Sequence, residues 1–209
     1  MMETREIAPA TATALIATVG VGVAGWVIAI ARMSGMDMGV ATTLGSFPFF
    51  LSVWLPMMAA MMLPGVAPSA LRVAAAGRTG VGVVRHVGSY LAVWAVVGVV
   101  VFALYRPHST TAAGAIAVAA GLYELTPLKR RFRMMCQDRA GSGWELGLCC
   151  IGSTAGLMLV MLVFGAMSLT WMALVAAAVL LQKLLPPKAV VDVPIAIAIV
   201  TVGLVQLAY

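Results

Sequence analysis

Methionine and cysteine carry the residue types from which this sequence could build a chemical site. Fifteen of 209 residues are Met, and they cluster: Met33, Met36 and Met38 within one short stretch, Met57, Met58, Met61 and Met62 within another, then Met134-Met135 and the pair Met158 and Met161. Thioethers are soft, uncharged ligands that select Cu(I) over harder cations, so three of them in one loop could surround a single ion. Asp37 and His108, read on the same side of the chain's layout, would add harder donors. Methionine is also ordinary core filler, and its clustering alone does not make a site. At about 100° per residue, Met57, Met58, Met61 and Met62 fall at about 0°, 100°, 40° and 140°, one arc of a helix. Cys150, Thr154, Met158 and Met161 fall at about 0°, 40°, 80° and 20°, a second soft face that could meet the first. Cys136 follows Met134-Met135, where a thiolate could take a soft metal.

Several chemistries are excluded. Three cysteines, two of them adjacent at 149 and 150, cannot make a disulfide framework, and none has the C-x-x-C spacing of a zinc site. There is no Gly-rich phosphate loop and no H-E-x-x-H, and the two histidines fall on opposite sides of the predicted membrane. No nucleophile stands at a usable spacing from a base, so an enzyme is the least favoured reading.

The elements that must position these residues are membrane helices. A chain that is 63% hydrophobic and 10% charged, with mean hydropathy +1.07, cannot cover a water-soluble fold. Spans are predicted at about 8–31, 48–72, 85–105, 111–128, 146–164, 169–185 and 189–209, all in one integral membrane domain covering 1–209. The uncharged run 146–182 is too long for one span at ordinary tilt and is read as two helices turning near Gly165 to Ser168. Seven spans are therefore predicted, with six as the alternative. The segment 129–139, with five Lys and Arg, is read as a loop outside lipid.

The net charge of +6 lies in the gaps between spans, which is a topology signal and not a nucleic-acid surface. With the N-terminus inside, eleven of the thirteen Lys and Arg residues are inside and only Arg32 and Arg106 outside; one span fewer would weaken that bias to nine against four. The N-terminus is thus expected in the cytoplasm, the C-terminus outside, and the chain in a bacterial inner membrane. The first apolar run is longer than a secretion-signal core and is expected to remain.

Pro56, Pro64 and Pro68 interrupt the second span and free the carbonyls of Ser52, Ala60 and Pro64, which must find partners within protein, water or an ion. Glu124, an acid inside the fourth span, is expected to pair with Lys129 if structural and to face a polar cavity if it belongs to an ion path. The Gly20 to Ala24 and Gly152 to Gly156 stretches give small-x-x-x-small faces, read chiefly as packing surfaces.

Four motifs carry a family resemblance: Trp54-x-x-Met57-Met58-x-Ala60-Met61-Met62-x-Pro64; Tyr123-x-Leu-Thr-Pro-Leu-Lys129; Cys150-x-Gly152 with Gly156-Leu-Met158; and Met167-x-x-x-Trp171-Met172 with Lys183-Leu-Leu-Pro186. Over about residues 48–187 the chain resembles a bacterial domain-of-unknown-function family of predicted metal-binding integral membrane proteins. The resemblance implies an inner-membrane helical protein with soft-metal ligands. The family pattern has two cysteines four apart where this chain has Phe132 and Cys136, Gly-Cys-Cys-Trp where it has Gly152 to Ala155, and an acid where it has Gln182. On this resemblance the chain looks like a divergent member lacking several Cys.

Three functions follow as expectations. The first is copper handling or assembly, with Met33, Met36 and Met38 capturing Cu(I) and Met57, Met58, Met61, Met62, Cys150, Met158 and Met161 holding it, Met57 and Met61 being expected near Cys150 or Met161. The second is a scaffold subunit packed against another integral membrane protein or a second copy of itself. The third is an ion or small-solute transporter using the broken second span, for which no inverted repeat is detectable. The bilayer is the one partner expected under all three, and Glu124, His108 and Cys136 are the further polar candidates.

Overall fold

The computed structural model describes residues 3–34, 44–77, 80–138, 141–165, 168–185 and 189–208, and among them every regular element is helical. The first span runs through α1 (Glu3–Leu15), a π-helical turn (Ile16–Gly20) and α2 (Val21–Met33). Then come α3 (Phe47–Met62), a 3-10 turn (Pro64–Val66) and α4 (Ala67–Ala75), followed by α5 (Gly80–Leu104). The second half holds α6 (Thr110–Glu124), α7 (Pro127–Asp138), α8 (Gly143–Gly165), α9 (Leu169–Leu184) and α10 (Ala189–Ala208).

Among the described residues four stretches are long and apolar enough to cross a bilayer: Pro9–Met33, Gly80–Leu104, Gly143–Gly165 and Val191–Ala208. Two further pairs qualify if each bent pair is one span, α3 with the turn and α4 bent by 44°, and α6 with α7 bent by 64°. Among the described residues there are therefore four to six candidate spans where seven are expected; α9, expected as the extra span, is a shorter apolar helix of 16 residues. The predicted turn near 165–168 is present, and Gly165 takes φ +146°, backbone that a side chain would strain.

The bends have local causes. Pro64 and Pro68 carry no amide hydrogen, so the α-helical ladder stops at Leu63 and resumes at Ala67. In the turn Val66 N donates to Leu63 O at 2.8 Å, and the carbonyl that Pro68 frees at Pro64 accepts from Ala67 N. Glycines set the approach of helices: a Cβ at Gly25 would stand 2.6 Å from Pro56 O on α3, and one at Gly156 would stand 2.9 Å from Ala120 O on α6. The Gly152 to Gly156 face is thus a packing surface for α6 and α7, Gly152 lying under the Phe132 ring. Among the described residues α3 packs chiefly on α2, α5 and α9, and α8 chiefly on α5, α6, α7 and α9.

The basic segment after residue 128 corrects the sequence reading. It is not an exposed loop but the helix α7, and it is turned inside out: Lys129 and Arg133 are buried while Leu128, Met134 and Met135 are exposed. Two cations can be buried because two carboxylates meet them. Lys129 pairs with Glu124 and lies 3.8 Å from Asp192, and Arg133 Nη1 grips both oxygens of Asp192 at 2.6 and 2.7 Å. Gln182 Nε2 donates to Glu124 Oε2 at 2.8 Å, and Arg133 Nη2 donates to the Gln182 and Leu185 carbonyls. The cluster carries no net charge, the condition under which ions in a dry interior are tolerable, and it joins α6, α7, α9 and α10.

Candidate functional site: a thiol-lined cleft

Beside that cluster lies a cleft of about 550 Å³, walled by Gly65 and Pro68 from the α3–α4 break, Cys136 from α7, Cys150 and Ser153 from α8, and Lys183 from α9. Arg72, Arg133, Gln182 and Ser69 also reach it. The breaks bring these walls together. Because Val66 N bonds Leu63 O, the Met62 carbonyl is left without its helical partner and accepts instead from Lys183 Nζ at 3.3 Å. Lys183 also donates to the Tyr90 hydroxyl at 3.0 Å, and Tyr90 in turn donates to Cys150 Sγ at 3.1 Å. Gly65 makes room for the Lys183 stem, which a Cβ there would strike. Ser153 Oγ donates to the Cys150 carbonyl at 3.0 Å and stands 3.9 Å from Cys136 Sγ. On the opposite wall Ser69 Oγ meets His86 Nε2 at 2.9 Å.

All three cysteines are free thiols, and Cys149 and Cys150 lie close enough to Cys136 for electrostatic interaction. Among the described residues no three His, Cys, Asp or Glu side chains converge on one metal-sized point. The cleft offers two thiol ligands on its wall, a set suited to a soft monovalent ion and poor for Zn(II).

The methionines fall elsewhere. Met57, Met58, Met61 and Met62 are all buried in protein, at most 2% exposed, but none of them lines the cleft. The expected meeting of their arc with Cys150 or Met161 is not the principal packing of α3, whose main neighbours are α2, α5 and α9. Met33 is buried at the end of α2, Met158 and Met161 are buried on α8, and Met36 and Met38 lie outside the described residues, as does Asp37. His108 is half-buried, its Nδ1 3.2 Å from Arg106 O and its Nε2 3.1 Å from Val163 O, so it ties the α5–α6 connection to α8. Glu124 makes the ion pair with Lys129 expected of a structural acid; its second oxygen faces Gly156, where a Cβ would come within 2.6 Å.

Lys183, Tyr90, Ser153, Arg133 and Asp192 were not singled out from the sequence. Asp192 was the legible one, a second acid inside a predicted span; Lys183 entered the sequence reading as a topology charge and a motif residue, not as a site residue.

Among the described residues the architecture is an apolar helical bundle with two thiols on one cleft, which defines its class as a helical protein with candidate membrane spans. The particular family follows from the sequence. Residues 51–206 match the family PpoB2, described as a copper chaperone, and the chain belongs to that family. No curated protein and no solved structure matches it. Copper is thus the metal its family handles.

Proposed function

We propose that this chain is a copper chaperone of the bacterial inner membrane that takes Cu(I) on Cys136 and Cys150 and passes it to a partner protein. The observation that carries this reading is that both thiols line one cleft of about 550 Å³. Cu(I) is the cargo, and two-coordinate thiolate ligation suits a site that must release it, since no third ligand has to be stripped. The methionines of α3 are buried in the bundle away from the cleft and are not assigned as its ligands. With the topology that the charge bias predicts, the cleft opens on the cytoplasmic side, where Arg72, Arg133 and Lys183 cluster.

Anaerobic Cu(I) titration of the full chain in lipid nanodiscs, against a chromogenic chelator, tests it. Stoichiometric binding that is lost in Cys136→Ser plus Cys150→Ser and kept in Met61→Leu is expected. Equal copper content in the double-serine variant and the wild type would overturn the thiol assignment.

A further inference from the structure

The cleft has the wrong electrostatic sign for a bare cation. Three cationic side chains line it, Arg72, Arg133 and Lys183, and no Asp or Glu does. Arg133 is neutralised by Asp192. Lys183 is not: among the described residues it forms no ion pair, and its ammonium spends two hydrogens on Met62 O and Tyr90 Oη, leaving a third N–H with no protein acceptor. A free Cu⁺ entering here meets an uncompensated positive charge. The cleft is also far larger than an ion needs. Its volume of about 550 Å³ is that of a pocket for a small organic ligand.

We infer that copper reaches this cleft as an anionic complex, Cu(I) carried by two small-molecule thiolates, and that Lys183 recognises its negative charge. This rests on the copper reading above and adds the chemical form of the cargo. The exchange balances without any redox partner. The donor [Cu(SR)₂]⁻ meets two protein thiols; the Cu–SR bonds break as Cu–Sγ bonds form at Cys136 and Cys150. Each departing thiolate takes the proton of the cysteine that replaces it and leaves as RSH. Copper remains Cu(I), and the site carries one negative charge before and after exchange, so the same Lys183 ammonium compensates the entering complex and the bound product. The hydroxyls of Ser153 and Tyr90, beside Cys136 and Cys150 respectively, supply polar contacts along the exchange.

The experiment compares two copper donors on the full chain in nanodiscs under anaerobic conditions: the anionic Cu(I)–glutathione complex, and Cu(I) supplied as its acetonitrile cation. Transfer is followed by stopped-flow loss of Cys136 and Cys150 reactivity to a fluorescent maleimide. Wild-type uptake from the anionic donor should slow as salt is raised, and Lys183→Met should slow it about tenfold while leaving uptake from the cation unchanged or faster. Lys183→Arg, which keeps the charge, should restore most of the rate. Equal slowing with both donors, or wild-type uptake from the anion that is indifferent to salt, would overturn the inference. The salt dependence needs no variant, so misfolding of Lys183→Met cannot shelter the idea. Copper binding at the wild-type level in Cys136→Ser plus Cys150→Ser, measured by the chelator titration, would sink the copper-site reading instead; thiol-dependent uptake that favours the cationic donor sinks only the anion inference.

Discussion

The Asp192 to Arg133 contact is the place where one substitution should move the whole bundle. Asp192→Asn keeps the shape of the side chain but removes one of two negative charges from a cluster whose Glu124, Lys129, Arg133 and Asp192 are all buried. What remains is one net positive charge, with the Arg133 guanidinium deprived of its two-oxygen acceptor at 2.6 and 2.7 Å and Lys129 of a carboxylate at 3.8 Å. Breaking a buried pair by neutralising one partner costs about 3–5 kcal/mol, because the other charge stays desolvated. For a chain of this size that is a fall of roughly 6–20 °C in midpoint temperature. Replacing both partners, Asp192→Leu with Arg133→Met, removes the charges together and should recover most of the loss, since isosteric apolar pairs replace buried ion pairs at little cost. Thermal unfolding of the purified protein in one detergent, followed by intrinsic tryptophan emission, gives the full cycle of single and double variants. Asp192→Asn within about 0.5 kcal/mol of wild type would refute the claim that this contact holds α7 to α10, because that is the scatter of an inconsequential surface change.

Three other outcomes are expected. Gly156→Ala brings a Cβ to 2.9 Å from the Ala120 carbonyl and 2.6 Å from Glu124 Oε1, so it should lower stability by about 1–3 kcal/mol, whereas Gly88→Ala, with nothing within 4 Å, should not destabilise; thermal unfolding separates them. Gln182→Glu replaces the Nε2 donor to Glu124 with a second carboxylate, and unfolding should show a loss of about 1–3 kcal/mol. Reporter fusions should place the N-terminus in the cytoplasm and the C-terminus outside, and termini on one side would remove the odd span count that the charge bias predicts.

The sequence made the apolar helices legible, though not their number as spans, because apolar length is a local property, and Gly165 marked its turn for the same reason. Glu124 and Lys129 were legible as a pair because they are five positions apart on one stretch of chain. Arg133 with Asp192 was not, since 59 positions separate them and nothing local says they meet. The same remoteness hid the cleft. Cys136 and Cys150 are each visible as soft donors, but their common wall depends on α7 folding back along α8, which the basic residues of α7 argue against until their counter-charges are placed. The arc at Met57 to Met62 lies buried on α3, whose chief neighbours are α2, α5 and α9, and the spacing that makes it a helical face does not say which helix it meets.

Gln182 connects the structural cluster to the chemistry. At this position the chain carries an amide that donates to Glu124 and also reaches the cleft beside Lys183. A carboxylate at that position would face Glu124, already the acceptor of Lys129 and Gln182, and would place a negative charge on the wall next to the Lys183 ammonium. The amide therefore does two things at once. It leaves the buried cluster with two charges of each sign, and it leaves the cleft without an acid, so that Lys183 keeps its full attraction for an anion. A cleft bearing an acid at 182 would be closer to neutral and better matched to a free cation, whereas this one is matched to copper that arrives with its own thiolates.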